Sequence, residues 1–171
     1  MRFIGQARPS GRRSEGDDTR TDERKRSVLV VDDDLRVREL ITMLLQSEGF
    51  EAVELSDGLE ALNYLVASEV YGSDIRRPDL VVADINMPTF TGLDLLAGMR
   101  ESRFQPPVML VTGVTDDEVH KEARRLGAVR VVKKPFDVDH FLDAIDDCLT
   151  SPGVESVINS RASIVVPEYD S

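Results

Sequence analysis

Residues 28–34 read VLVVDDD, an apolar run that ends in three consecutive aspartates. The apolar part, Val28–Val31, is rich in β-branched residues, as expected for a strand buried on both faces. Adjacent carboxylates repel one another, and a bound cation is one way to relieve that repulsion. Oxygen ligands of this kind suit Mg²⁺. An acidic helix N-terminus is the alternative, because capping and the helix dipole also favour Asp there.

The overall composition indicates a soluble globular protein of 171 residues, 41% of them hydrophobic, which is enough for one well-buried domain. Its formal net charge of -11 argues against non-specific binding to nucleic acid, which requires basic patches. No apolar stretch is long enough to span a membrane, and the N-terminus lacks the apolar core of a secretory signal. The single cysteine, Cys148, fits a reducing compartment, so we expect a cytoplasmic protein.

Three segments follow from the distribution of apolar residues. Residues 1–26 hold eight basic and five acidic residues but few apolar ones, which predicts a disordered N-terminal arm or, alternatively, a weak basic docking arm. The apolar residues of the arm are Met1, Phe3, Ile4 and Ala7. Residues 27–149 are predicted to fold, and residues 150–171 are predicted to form a flexible tail. Alternatively, the patch Ile164–Val166 in the tail packs on the domain or docks a partner.

Five short runs predict five strands, and the amphipathic stretches between them predict five helices. The runs are Val28–Val31, Glu51–Leu55, Leu80–Ala83, Val108–Thr112 and Val129–Val132. The polar second run suits an edge strand, and we expect the other four to be buried on both faces. This alternation predicts an α/β fold in which a five-stranded parallel sheet is doubly wound by five helices.

Apolar residues at helical spacing predict the buried face of each helix. For the first helix they are Val37, Leu40, Ile41, Leu44 and Leu45, and for the second Leu59, Leu62, Leu65 and Val66. The pattern Thr115-x-x-Glu118 predicts a capping box that opens the fourth helix, and Gly127 is expected to close it.

Ligands of such sheets bind beside the carboxyl ends of the strands, so the residues at those ends are candidates for a site. They are Asp32, Asp33, Asp34, Asp84, Thr112, Lys133 and Lys134. Acids, a hydroxyl and an ammonium at one edge predict a site for magnesium and phosphate. Asp34 is better explained as the cap of the first helix, and His120 and His140 as surface residues.

Four motifs in this order resemble the receiver domain of bacterial two-component response regulators. They are VLVVDDD (28–34), PDLVVADINMP (78–88), VTG (111–113) and VKKPF (132–136). The resemblance extends from about Ser27 to Leu149. It implies a flavodoxin-like sheet with strand order 2-1-3-4-5.

The resemblance also implies roles for individual residues. Asp84 would be the phosphoacceptor, which attacks the phosphoryl group of a phosphohistidine. Asp32 and Asp33 would hold Mg²⁺, with Asp33 and Asp84 as direct carboxylate ligands and the backbone carbonyl of Asn86 as a third ligand. Such an ion neutralises and orients the transferring group, which is most of what phosphoryl transfer demands.

The remaining implied roles concern the phosphoryl oxygens and the backbone around them. Lys134 would pair with these oxygens, and Thr112 would donate its hydroxyl to one of them. The bond between Lys134 and Pro135 is expected to be cis, an isomer that proline makes accessible. Gly92 matches a glycine after the phosphorylation loop, where we expect a positive φ.

Two departures from the family pattern affect the expected switch. The aromatic switch position three residues before Lys134 holds Val131, so phosphorylation is expected to be read through Thr112 and the loop before the fourth helix. In the family, polar side chains that position the attacking water lie at the positions of Asn86 and Val114. Asn86 can position water but Val114 cannot, which predicts slower hydrolysis of the phosphoryl group than with polar side chains at both positions.

The leading functional hypothesis is a single-domain receiver that is not a turnover enzyme. It would accept a phosphoryl group from a histidine kinase or phosphotransfer protein and then bind an unknown effector protein. The fourth helix, last strand and fifth helix would form its docking or homodimer face. The 22 residues after Leu149 are too few for a helix-turn-helix output domain, so no DNA binding is expected.

Three alternatives remain open at this point. A phosphorelay shuttle would pass the group on to another histidine protein, and an inert pseudo-receiver would act as an interaction module. A flavin-binding protein of similar topology would need a phosphate cradle after the first strand, where the three aspartates would repel phosphate.

Overall fold

The computed structural model describes residues 24–72, 74–113 and 116–150, in which strands and helices alternate strictly. The elements are β1 Ser27–Val31, α1 Leu35–Ser47, β2 Glu51–Leu55, α2 Gly58–Val70, β3 Leu80–Asp84, α3 Gly92–Met99, β4 Val108–Thr112, α4 Asp117–Leu126, β5 Arg130–Lys133 and α5 Val138–Thr150. The strands pair in parallel in the order β2-β1-β3-β4-β5. The predicted doubly wound, flavodoxin-like fold is therefore confirmed.

The core lies on both faces of the three central strands, which are buried along their whole length. Side chains such as Leu29 and Leu110 pack with α2, α3 and α4, whereas their neighbours Val28 and Met109 pack with α1 and α5. Each fully buried large apolar side chain contributes roughly 1.5–3 kcal/mol relative to exposure. The Val-rich central runs thus fix the sheet and place all strand ends that carry polar residues along one edge.

The two outer strands differ from each other in how well the sequence predicted them. The prediction of β2 as an edge strand is confirmed. The prediction that the last strand is buried on both faces is wrong, because β5 is the other edge and both Arg130 and Lys133 are exposed. Only Val132 is buried there. A run of valines reports β propensity and does not reveal whether a second neighbouring strand exists.

The predicted helix faces were too wide. Ile41, Leu45 and Leu65 are buried as expected, but Leu40 and Leu59 are about half exposed, at 48% and 49%. Val66 is also exposed. Helical spacing identifies which residues share a stripe, while the width that is buried depends on the neighbouring helices.

The ends of α4 show one correction and one confirmation. The N-cap is Asp116, whose side chain accepts from the Glu118 amide, so the helix begins one residue later than the predicted capping box implies. Thr115 lies outside the described residues. Gly127 ends the helix in the left-handed conformation, with φ 106°, as predicted.

Candidate functional site

The site lies at the switch point between β1 and β3, where the strand order reverses and such sheets bind their ligands. Asp32 directly follows β1 and Asp84 ends β3, and the two carboxylates are 1% and 6% exposed. Asp33 is exposed beside them. One oxygen from each of these three residues lies within 4.8 Å of the others. The structure therefore brings together the three predicted acidic residues.

Lys134 directly follows β5, two strands away from β3, and its side chain reaches back to this acidic cluster. Its Nζ donates to Asp32 Oδ2 at 2.7 Å and to Asp84 Oδ1 at 2.9 Å. The Lys134 amide donates to the Thr112 carbonyl at 2.7 Å, which carries the β4–β5 pairing one residue beyond the strand. The bond to Pro135 is cis, as predicted.

Burial and charge act in opposite directions on these groups. Burial raises the pKa of Asp32, and the hydrogen bonds from Lys134 and from the Asp34 amide only partly offset it. Burial alone would lower the pKa of Lys134, but the hydrogen bonds and charges of Asp32 and Asp84 outweigh it and raise that pKa. The ammonium is thus held in its charged form by the two buried carboxylates.

The donor set fits a divalent cation. Three carboxylates and one ammonium carry a formal charge of -2, which a doubly charged ion would neutralise. Carboxylate oxygens suit Mg²⁺, which commonly binds through one or two of them and keeps several waters. The exposed position of Asp33 leaves the cluster open to solvent on one side. The cluster can therefore hold a metal ion and admit a further ligand.

Local hydrogen bonds fix the directions of the two buried carboxylates. Asp32 Oδ1 accepts from the Asp34 amide at 2.9 Å, and Asp84 Oδ2 accepts from the Asn86 amide at 2.9 Å. Asp34 caps α1 by accepting from the Arg36 amide, as predicted, which separates it from the acidic cluster. Each carboxylate is held by the backbone that follows it, so it is oriented before any ligand binds.

Gly92 is required for a reason other than the predicted one. The prediction of a positive φ is wrong, since positive φ occurs among the described glycines at Gly49 and Gly127, and Gly92 is the first residue of α3. A Cβ on Gly92 would lie 2.4 Å from the Asp84 carbonyl oxygen. The Gly92 amide also donates to the Ile85 carbonyl at 3.1 Å. The glycine lets α3 begin directly against the backbone of Asp84.

The other predicted positions lie around this centre. Thr112 ends β4 and is fully buried. Val131 is half-buried on β5 and pairs with Leu110. Asn86 is exposed at the start of the loop between β3 and α3. Val114 lies outside the described residues.

Two features of the loop between β3 and α3 escaped the sequence reasoning. Thr91 caps α3 in a capping box with Asp94, whose side chain accepts from the Thr91 amide at 2.9 Å. The pattern Thr-x-x-acid could have revealed it. Thr89 adopts φ 68°, rare for a β-branched residue, and the Phe90 amide donates to the Pro88 carbonyl across it. No pattern in the sequence predicts the turn at Thr89.

This fold and acidic centre define a class of protein, the doubly wound α/β domains that carry a cluster of carboxylates at the switch point. The family model for the response regulator receiver domain matches residues 28–146. The chain therefore belongs to the response regulator receiver family, whose members are signalling domains.

Known relatives agree with this assignment. The chain is 31% identical over 118 residues to sporulation initiation phosphotransferase F of Bacillus subtilis, which covers 69% of the chain and 89% of that protein. It is 32% identical to the chemotaxis protein CheY of Halobacterium salinarum, over 74% of the chain and 98% of that protein. Among solved structures, the chemotaxis protein CheY4 of Vibrio cholerae has a TM-score of 0.64 at 30% identity, covering 74% of this chain and all of that one.

Other relatives are much longer than this chain. For six of them the chain spans 23% to 59% of their length. Within the described residues, no helix is both long and apolar enough to cross a membrane.

Proposed function

We propose that this protein is a phosphoryl-accepting receiver in which Asp84 is the acceptor. The observation that carries the proposal is the convergence of Asp32, Asp33 and Asp84 on one point, with Lys134 bonded to two of them. In the transfer step, an oxygen of the Asp84 carboxylate forms a bond to phosphorus. The bond from phosphorus to the donor's histidine nitrogen breaks, and the imidazole keeps the electron pair.

Mg²⁺ is the proposed cofactor. Asp33 and Asp84 would hold it through their carboxylates, Asn86 through its backbone carbonyl, and Asp32 would complete the acidic set. When bound, the ion supplies charge neutralisation for the transferring phosphoryl group. Lys134 pairs with the phosphoryl oxygens, and the Thr112 hydroxyl donates to one of them.

A phosphorylation assay on intact protein tests this proposal. Incubation with acetyl phosphate and Mg²⁺ is expected to give a single phosphoryl adduct by mass spectrometry. The adduct should disappear without Mg²⁺ and in Asp84→Asn. Asp57→Asn is the matched control, since it removes a carboxylate outside the cluster and an asparagine can still cap α2. A variant Asp84→Asn that still gains the adduct would contradict the assignment.

The absence of any adduct would have two explanations that a second ligand separates. A receiver that accepts only from its kinase would still bind beryllofluoride together with Mg²⁺. A pseudo-receiver that acts as an interaction module would bind neither. The choice between these outcomes is made by following the amide signals of Asp84 and Thr112 during titration.

The proposed output is phosphorylation-dependent binding of an effector protein, with a histidine kinase or phosphotransfer protein as donor. The protein is proposed to act in the cytoplasm, with a docking or homodimer face on α4, β5 and α5. The relay shuttle is a second candidate, because one relative at 31% identity is named a phosphotransferase. Transfer from phosphorylated Asp84 to a histidine phosphotransfer protein would establish the shuttle, and retention of the group would favour effector binding.

The proposed switch operates without an aromatic rotamer. Val131 is too small to alternate between buried and exposed positions as a ring does, so Thr112 and the following loop carry the signal. Val131→Ala is therefore expected to preserve phosphorylation-dependent partner binding.

Val114→Asn is expected to shorten the lifetime of the phosphoryl group, because two polar side chains, Asn86 and the new asparagine, would then position the attacking water.

A further inference from the structure

Helix α2 exposes an apolar stripe that no other part of the described chain covers. Val66 and Val70 are 47% and 65% exposed, and Leu59 lies on the same face because it is seven residues before Val66. Tyr71, directly after the helix, is 60% exposed. The opposite face of α2 packs in the core through Ala61 and Leu65. Asn63 is the one polar residue at helical spacing within this stripe. A mainly apolar face of a helix is typically covered by another segment.

The N-terminal arm enters the described structure at the C-terminal end of this stripe. Arg24 lines a cleft together with Gly72, Asp74, Arg76 and Arg77, and Gly72 follows Tyr71. The Arg76 guanidinium donates to the carbonyl of Lys25, which ties the entering chain to this place. The Tyr64 hydroxyl of α2 donates to the Arg76 carbonyl at 2.8 Å. The arm thus starts beside α2.

Length and charge both fit the arm to the stripe. Helix α2 is about 20 Å long, whereas residues 8–23 can extend to roughly 50 Å, so residues 1–7 can reach every part of the stripe. Residues 1–7 hold one arginine, Arg2, and no acid. Helix α2 carries Glu60 and Glu69 and no basic residue. Phe3 and Ile4 would supply apolar contacts, and Arg2 would bring a positive charge to the exposed Glu60, since Glu69 already accepts from the Ser102 hydroxyl.

We propose that residues 1–7 of the arm bind the exposed stripe of Leu59, Val66, Val70 and Tyr71 on the same molecule. The stripe on α1 with Leu40 and Met43 is a poorer receptor, since the residues of that helix carry a net positive charge (Arg36, Arg38 and Glu39), whereas those of α2 carry a net negative one. The bound arm would also lie close to the loop between β3 and α3, which follows Asp84 and contains Phe90. Gly58 at the start of α2 is packed so tightly that a Cβ would lie 2.7 Å from the Phe90 carbonyl oxygen.

A spin label on the arm of the full chain tests this proposal. A nitroxide on Ser10→Cys attaches selectively, because Cys148 is buried and burial raises the pKa of its thiol to about 11. Broadening of the amide signals of residues 59–71 is expected in the labelled protein. It should be lost in Val66→Asp/Val70→Asp and in Phe3→Ser/Ile4→Ser. Met43→Asp, which changes an equally exposed residue on α1, is the matched control and should keep the broadening.

Two results would overturn the proposal. One is a labelled protein in which the amide signals of α2 are not broadened, or are broadened equally in Val66→Asp/Val70→Asp. The other is broadening seen only when spin-labelled protein is mixed with isotope-labelled protein, which would assign the stripe to a second copy. Phosphorylation assays on the same variants keep this result separate from the function of Asp84.

Discussion

A methyl group on Gly92 would lie 2.4 Å from the carbonyl oxygen of Asp84, closer than carbon and oxygen can approach without a shift of the backbone. Gly92→Ala is therefore expected to lower the free energy of unfolding by roughly 1–3 kcal/mol, as overpacking does, even though alanine favours helices. It should also weaken Mg²⁺ binding, because the Asp84 backbone moves. Urea unfolding and calorimetric titration measure the two effects. Gly113→Ala is the control, since a Cβ there meets no atom within 4 Å.

Lys134 separates two buried carboxylates, so its removal leaves them to repel each other. Lys134→Met keeps most of the side-chain volume, and we expect it to lower the free energy of unfolding at neutral pH by about 1–3 kcal/mol. Excess MgCl₂ should reduce that loss, because a cation then neutralises Asp32 and Asp84. Lys133→Met, at an exposed neighbour, should change little. A loss that is the same with and without Mg²⁺ would show that the ammonium acts through packing alone.

The conformation of Thr89 is expected to reduce stability. Its φ of 68° is tolerated by asparagine far better than by a β-branched residue. Thr89→Asn should therefore raise the free energy of unfolding by about 1 kcal/mol. Thr89→Ala keeps a Cβ without asparagine's local hydrogen bonding and should gain less. Equal gains in chemical denaturation would indicate that the threonine side chain, not the backbone, is responsible.

Cys148 makes stability depend on alkaline pH. Burial raises the pKa of the thiol from 9.0 to about 11, with a smaller contribution from Asp147 and an opposing one from Arg130. The thiolate thus forms more readily in the unfolded state, and stability that is complete below pH 9 declines as pH rises towards 11. The slope reaches up to about 1.4 kcal/mol per pH unit. Cys148→Ala should remove this part of the decline, which unfolding curves across that range would measure.

The sequence predicted the sheet and the placement of the acids because both depend on local patterns. Valine-rich runs specify central strands, and the topology then places Asp32 and Asp84 at one edge. The exposure of Leu59 and Val66 was not predictable, since it depends on how far the neighbouring helices extend over α2. The reason for Gly92 was equally hidden, because it is a contact with a backbone atom eight residues earlier in the chain.

Strand β1 is tied at both of its ends. At its start, the Ser27 amide donates to Asp79 Oδ2 at 2.7 Å, and parallel ladders to β2 and β3 run along both sides. At its far end, Asp32 accepts from Lys134 Nζ at 2.7 Å. A pulling force applied to the N-terminal arm would therefore load two ladders in shear, the geometry in which many hydrogen bonds must break together. The segment preceding Ser27 is attached to a strand with a ladder on each side, and tension on it would be transmitted along β1 to Asp32 in the acidic cluster.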